Sequence, residues 1–193
     1  FNYSFEGERV GFEPDDGNLY RENKSDAIVV TDSIPAASGK NCLMILDSPD
    51  MEHSYNPHFY YSPQHAGGTS RCSFDINISA DTRMLSEWRG PGHPYDTGPG
   101  ILIYDGKLTA DGGVNVSLPA KQWIHIAIAT ELGPQSNGKW DMEVVLPGGN
   151  TNRFENLPYE SEKFNRLDWL GFCSLATNKT VFYLDNLNLS TDH

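Results

Sequence analysis

Apolar and polar residues alternate along most of the chain in short bursts. In "RCSFDINIS", Cys72, Phe74, Ile76 and Ile78 fall on one face while Arg71, Ser73, Asp75 and Asn77 fall on the other. That two-residue period predicts a half-buried β-strand. The same rhythm marks "NYSFEG", "AIVVTD", "NCLMILD", "HFYYSP", "GILIYDGKL", "QWIHIAIAT", "KWDMEVVLPG", "LDWLGFCSL" and "TVFYLDNLNL". Turn-forming pairs separate the bursts, among them "DDGN", "ASGK", "AGGT", "YDGK", "ADGG", "QSNGK" and "PGGN". A helical period is confined to about one turn near "SEKFNRLD". Many short strands without intervening helices predict an all-β, two-sheet antiparallel sandwich, a jelly roll of about ten or more strands. No linker, repeat or low-complexity tract divides residues 1–193, so one domain is expected, excised from a larger multidomain protein or matured from a precursor because the chain opens on Phe1.

Composition narrows the partners. With 14 Lys+Arg against 26 Asp+Glu the net charge is −12, which repels nucleic-acid backbones and anionic membrane surfaces at long range. No apolar run is long enough to span a membrane. Acidity of this kind agrees with a secreted, cell-surface or periplasmic setting. The three cysteines, Cys42, Cys72 and Cys173, sit in apolar strand-like surroundings and read as buried free thiols.

The fragments "SFEG", "SGKNCLMILD" and "VFYLDNLNL", with "KQWIHIAIAT" followed by "GKWDMEVVLPGG", resemble the strands of β-sandwich carbohydrate-binding modules and of lamin-G-like or concanavalin A-like jelly rolls attached to polysaccharide-degrading enzymes. The resemblance implies a polysaccharide or oligosaccharide ligand and a catalytic domain elsewhere in the parent protein. It also implies a structural Ca²⁺ held by Glu6, by the backbone of Ser38 to Lys40 and by Asp185, with Asp32 as a further candidate. The residues point the same way: Asp185 is in phase with Val181, Tyr183, Leu187 and Leu189, and a carboxylate there needs a partner. The alternative is that Glu6 and Asp185 accept backbone hydrogen bonds or face solvent.

Two segments concentrate the side chains that bind sugars, which are aromatic rings and planar polar groups. One is "EWRGPGHPYD", with Glu87, Trp88, Arg89, His93, Tyr95 and Asp96; the other is "MEHSYNPHFYY", with His53, Tyr55, Asn56, His58, Tyr60 and Tyr61. Glycine and proline stiffen the first and lower the entropy lost on binding. His58, Tyr60, Glu87, Trp88, Arg89, His93 and Tyr95 form the expected ligand-binding set. For Trp88 and Tyr95 packing is equally open, whereas Trp123, Trp140 and Trp169 read as core and His125 as a satisfied sheet-face histidine. Arg89 and the histidines suit an anionic sugar.

The leading expectation is a non-catalytic carbohydrate-binding domain. A polysaccharide lyase or glycoside hydrolase acting through the Glu87–Asp96 and His53–Tyr61 surfaces is the alternative. Elimination needs a base, from His53, His58, Tyr60 or His93, and a group such as Arg89 to neutralise a uronate. Hydrolase signatures are absent: no E-x-D-x-E strand occurs, and Asp141 with Glu143 reads as a solvated pair. A lamin-G-like protein-interaction domain is a third class.

Overall fold

A computed structural model describes residues 1–192. Its strands, in chain order, are β1 (Asn2–Tyr3), β2 (Asn18–Tyr20), β3 (Ala27–Thr31), β4 (Cys42–Leu46), β5 (His58–Tyr61), β6 (Gly68–Ile78), β7 (Met84–Arg89) and β8 (Thr97–Tyr104). They continue as β9 (Lys107–Ala110), β10 (Val114–Ser117), β11 (Trp123–Leu132), β12 (Lys139–Val145), β13 (Thr151–Pro158), β14 (Trp169–Ser174) and β15 (Val181–Asp192). An eight-stranded sheet runs β13-β12-β11-β6-β15-β4-β3, with β1 added beside β15. A seven-stranded sheet runs β10-β9-β8-β7-β14-β5-β2. Every strand pair is antiparallel, so the chain is the expected two-sheet jelly roll.

The alternation accounts for the packing. On β6 the inward set Cys72, Phe74, Ile76 and Ile78 is buried, and on β11 Ile124, Ile126 and Ile128 face the same way. From the other sheet, β7 contributes Met84 and Trp88, and β14 contributes Leu170 and Phe172. The Phe74 and Phe172 rings meet edge to face at 4.9 Å, joining the two layers across the core. Each such ring contributes about 1.5–3 kcal/mol through burial. The "YDGK" turn between β8 and β9 has positive φ at both Asp105 (51°) and Gly106 (66°), the geometry that a tight two-residue hairpin demands.

Three expectations need correction. Trp123 and Trp169 are only half-buried and point away from the core, whereas Trp140 lies inside it. A break of register between Asp185 and Asn188 shifts the phase of β15: Phe182 and Leu184 point inward before it, Leu187 and Leu189 after it. Asp185 therefore shares the outward phase of Tyr183, and it is fully buried because the Ser38 turn covers it. The helical turn expected near Ser161 is a hydrogen-bonded turn, Phe164 N–H to Ser161 O, which seats the Phe164 ring in the core. All three cysteines are free and buried, with their thiol pKa values pushed up to about 12 by burial.

Candidate functional site

The outer face of the seven-stranded sheet gathers most of the interactive side chains. Because side chains alternate, β7 turns Glu87 and Arg89 outward, β5 turns His58 and Tyr60, β14 turns Trp169 and Gly171, and β2 turns Asn18 and Tyr20. Register then aligns them: Arg89 faces Trp169, and Gly171 lies between Glu87 and Tyr60. The indole of Trp169 lies over Gly171, where a Cβ would come within 2.0 Å of its Cη2. The Tyr60 ring stacks on it at 5.6 Å, and the Arg89 guanidinium sits 4.1 Å from its centroid. Arg89 also covers the Tyr95 ring at 4.4 Å and donates from Nε to Glu87 Oε2 at 2.7 Å. Opposite this pair the ladder carries a bulge, with Glu87 against Gly100 but Arg89 against Thr97. Pro99, which has no N–H to give, lies in the extra stretch.

His58 is oriented by a relay from outside the face. Glu22 accepts hydrogen bonds from the backbone N–H groups of Glu52 (2.5 Å) and His53 (2.9 Å), and from Asn56 Nδ2 at 2.8 Å. Those donors, the Glu52 amide foremost, lower its pKa to about 2. With its NH₂ committed to Glu22, Asn56 presents Oδ1 to His58 Nδ1 at 2.9 Å. The ring proton therefore belongs on Nδ1, and Nε2 keeps its lone pair. Burial holds the His58 pKa below the ordinary histidine value and the charge of Arg89 adds to it, against an opposing contact from the Tyr55 backbone. The ring is thus neutral at neutral pH. Tyr20 stacks on it at 5.7 Å and Tyr55 tilts against it at 6.2 Å.

Of the residues expected from sequence, His58, Tyr60, Glu87, Arg89 and Tyr95 are brought together here. His93 extends the array edge-on to Tyr95 at 5.9 Å, and His53 stacks on Tyr55 at 5.2 Å. Trp88 is corrected: it is 1% exposed on the core face of β7, its Nε1 has no hydrogen-bond partner among the described residues, and it does not reach the outer surface. Sequence reasoning missed Trp169, Tyr20, Asn56 as a relay and Glu22. The "WLGF" alternation, with Leu170 and Phe172 opposite Trp169 and Gly171, carried the signal for Trp169.

The residues expected to hold Ca²⁺ meet around one turn. Glu6 Oε1 accepts the amides of Lys40 (2.8 Å) and Asn41 (2.7 Å), while Asp185 accepts those of Ser38 (3.1 Å) and Asn186 (2.7 Å). Burial pushes the Asp185 carboxyl upward against those amides. Glu6 lies beyond the end of β1, which stops at Tyr3, and Asp32 is exposed. Among the described residues no group of three or more His, Cys, Asp or Glu side chains is placed to hold a metal ion. On the opposite sheet, His125 Nδ1 pairs with Asp75 Oδ1 at 2.8 Å, and Glu143 pairs with Arg153 at 2.5 Å beside the exposed Asp141.

No protein-family model matches the chain, and no curated protein matches it in sequence. Solved structures do match in fold. An endo-β-1,4-glucuronan lyase from the fungus Trichoderma reesei superposes with a TM-score of 0.64 at 9% identity, over 95% of this chain and 96% of that one. A PL-14 alginate lyase from Aplysia kurodai gives 0.57 at 12% identity, over 88% and 90%. A Shewanella oneidensis protein of unknown function, SO2946, gives 0.60 at 8% identity, over 100% and 88%. At such identities the likeness establishes the jelly-roll fold.

Proposed function

We propose that the outer face of the seven-stranded sheet binds a uronate-containing polysaccharide and cleaves it by β-elimination. The observation that carries this reading is His58, a neutral imidazole with its proton held on Nδ1 by Asn56 and its Nε2 lone pair available beside Tyr60 and within the field of Arg89. In this scheme Arg89 pairs with the uronate carboxylate, which acidifies the adjacent ring carbon. His58 Nε2 removes that carbon's proton, and the electron pair forms the carbon–carbon double bond as the glycosidic carbon–oxygen bond breaks. The Tyr60 hydroxyl delivers a proton to the departing oxygen. Trp169, Tyr20 and Tyr55 offer ring faces for the apolar side of sugar units. Two superposing structures are lyases named for glucuronan and alginate, which supports the reading.

Non-catalytic binding is the second reading, favoured by the Arg89–Glu87 pair at 2.7 Å, which already occupies the guanidinium. One experiment separates them: incubation with polyglucuronate and alginate, following absorbance of unsaturated ends and retardation in an affinity gel together. New unsaturated ends that vanish in His58→Gln support elimination. Retardation without new ends makes the face a binding surface, and the absence of both new ends and retardation overturns both readings. The Ca²⁺ implied by the resemblance is a separate proposal, resting on the convergence of Glu6 and Asp185 on the Ser38–Asn41 turn, where both carboxylates already accept backbone amides. A chelator that lowers the Tm supports it; an unchanged melt leaves the amides as the carboxylates' partners.

A further inference from the structure

Beside Arg89 the same face opens into a cleft of about 360 Å³ between β7, β8 and β9, lined among others by Glu87, Gly100, Thr109, Asp111 and Glu160. The cleft exists because β8 turns glycine outward at position 100. A Cβ there would find Glu87 Cγ at 3.8 Å and nothing nearer, so ligand has direct access to the strand backbone. Three carboxylates, those of Glu87, Asp111 and Glu160, line this space, and among the described residues Glu87 alone of them has an ion-pair partner, Arg89. Their mutual repulsion is visible at Glu160: burial first, then the charges of Glu87 and Asp111, raise its pKa against the pull of Arg89.

The charge pattern along the face is therefore uneven. The Arg89 end attracts an anion, and the adjoining cleft repels one, in a protein whose net charge is already −12. A homopolymer of uronate would place a carboxylate in both positions. We infer that the cleft accepts a sugar unit without an acid group, so that the polymer recognised by this face alternates uronate with uncharged or amino sugar units. This rests on the polysaccharide reading above and narrows its substrate class. The cleft carboxylates select by exclusion, penalising the wrong unit rather than gripping the right one.

The test compares dissociation constants of the intact protein for polyglucuronate and for hyaluronan, in which glucuronate alternates with N-acetylglucosamine, at fixed low salt. The Glu160→Gln, Asp111→Asn double variant removes two charges from the cleft while keeping side-chain shape. Wild type is expected to favour the alternating polymer by about tenfold, from like-charge repulsion at a partly exposed site. The double variant narrows that ratio by about fivefold, and added salt narrows it in wild type. Equal or tighter binding of polyglucuronate by wild type, or a ratio the double variant leaves untouched, overturns the inference while the proposed function stands. Failure to bind any uronate polymer overturns the proposed function and this inference with it.

Discussion

Replacing Gly171 by alanine tests how the face is built. The position shows no left-handed φ, so alanine fits the backbone, and in a strand interior it would by itself gain about 0.5–1 kcal/mol over glycine. The obstacle is the indole above it: the new Cβ would lie 2.0, 2.3 and 2.6 Å from Cη2, Cζ2 and Cζ3 of Trp169. The ring must leave. It then forfeits the Arg89 contact, about 0.5–2 kcal/mol for a partly desolvated cation–π pair. It also forfeits the Tyr60 stack, about 0.5–1.5 kcal/mol. Set against the backbone gain, the net loss centres on about 1.5 kcal/mol within a span of about 0–3, which lowers the Tm by about 3–6 °C at the centre in a domain of this size. The assay is a double-mutant cycle by calorimetry with Gly171→Ala, Trp169→Ala and both. Because the cost acts through Trp169, the double variant is expected to be no less stable than Trp169→Ala alone. Additive losses would refute the reasoning, as would a single Gly171→Ala variant with unchanged stability and polyuronate affinity.

If His58 is the base, His58→Gln lowers kcat by about 10²–10⁴-fold and leaves affinity within a few-fold. The same assignment fixes a pH profile: a base with a depressed pKa stays deprotonated below the ordinary histidine range, so the acid limb of kcat/KM lies under about pH 6.5 and activity is lost as pH falls through it. A limb above that value contradicts the placement. Trp88→Phe removes a buried donor without a partner; it is expected to change the Tm and to leave polyuronate affinity unchanged, and lost affinity would return Trp88 to the ligand face. On the other sheet, the hydrogen bond to Asp75 raises the His125 pKa, so its stabilisation is complete below the unfolded value and disappears as pH rises through the folded one. With a side chain 41% exposed the effect stays under about 1 kcal/mol, and His125→Gln is expected to flatten that part of the Tm–pH curve.

The sandwich was legible because period-two alternation reports burial directly, as in "RCSFDINIS", and because "YDGK" names its own turn. Individual phases were less secure. Val181, Tyr183 and Asp185 share a parity with Leu187 and Leu189, and nothing local announces the break after Asp185 that separates them. Trp140 and Trp169 occupy similar strand contexts, yet one fills the core and the other lies on the surface over a glycine. The aromatic and charged residues of the site stood out by type, but Trp88 and Arg89, neighbours that must point to opposite faces of one strand, were both assigned to the ligand. Which of the two faced inward depended on the opposing sheet. The Glu22–Asn56–His58 relay joins residues 34 positions apart and was invisible for that reason.

The inertness of the native thiols makes the protein convenient to instrument. Cys42, Cys72 and Cys173 are at most 3% exposed and stay protonated far above neutral pH. A cysteine introduced at the exposed Tyr95 or Tyr55 would be the one thiol open to maleimide, ionising near the ordinary value of about 8.5. A dye attached there would test by fluorescence whether a polysaccharide occupies the face, with no need to strip the buried sulfurs from the core first.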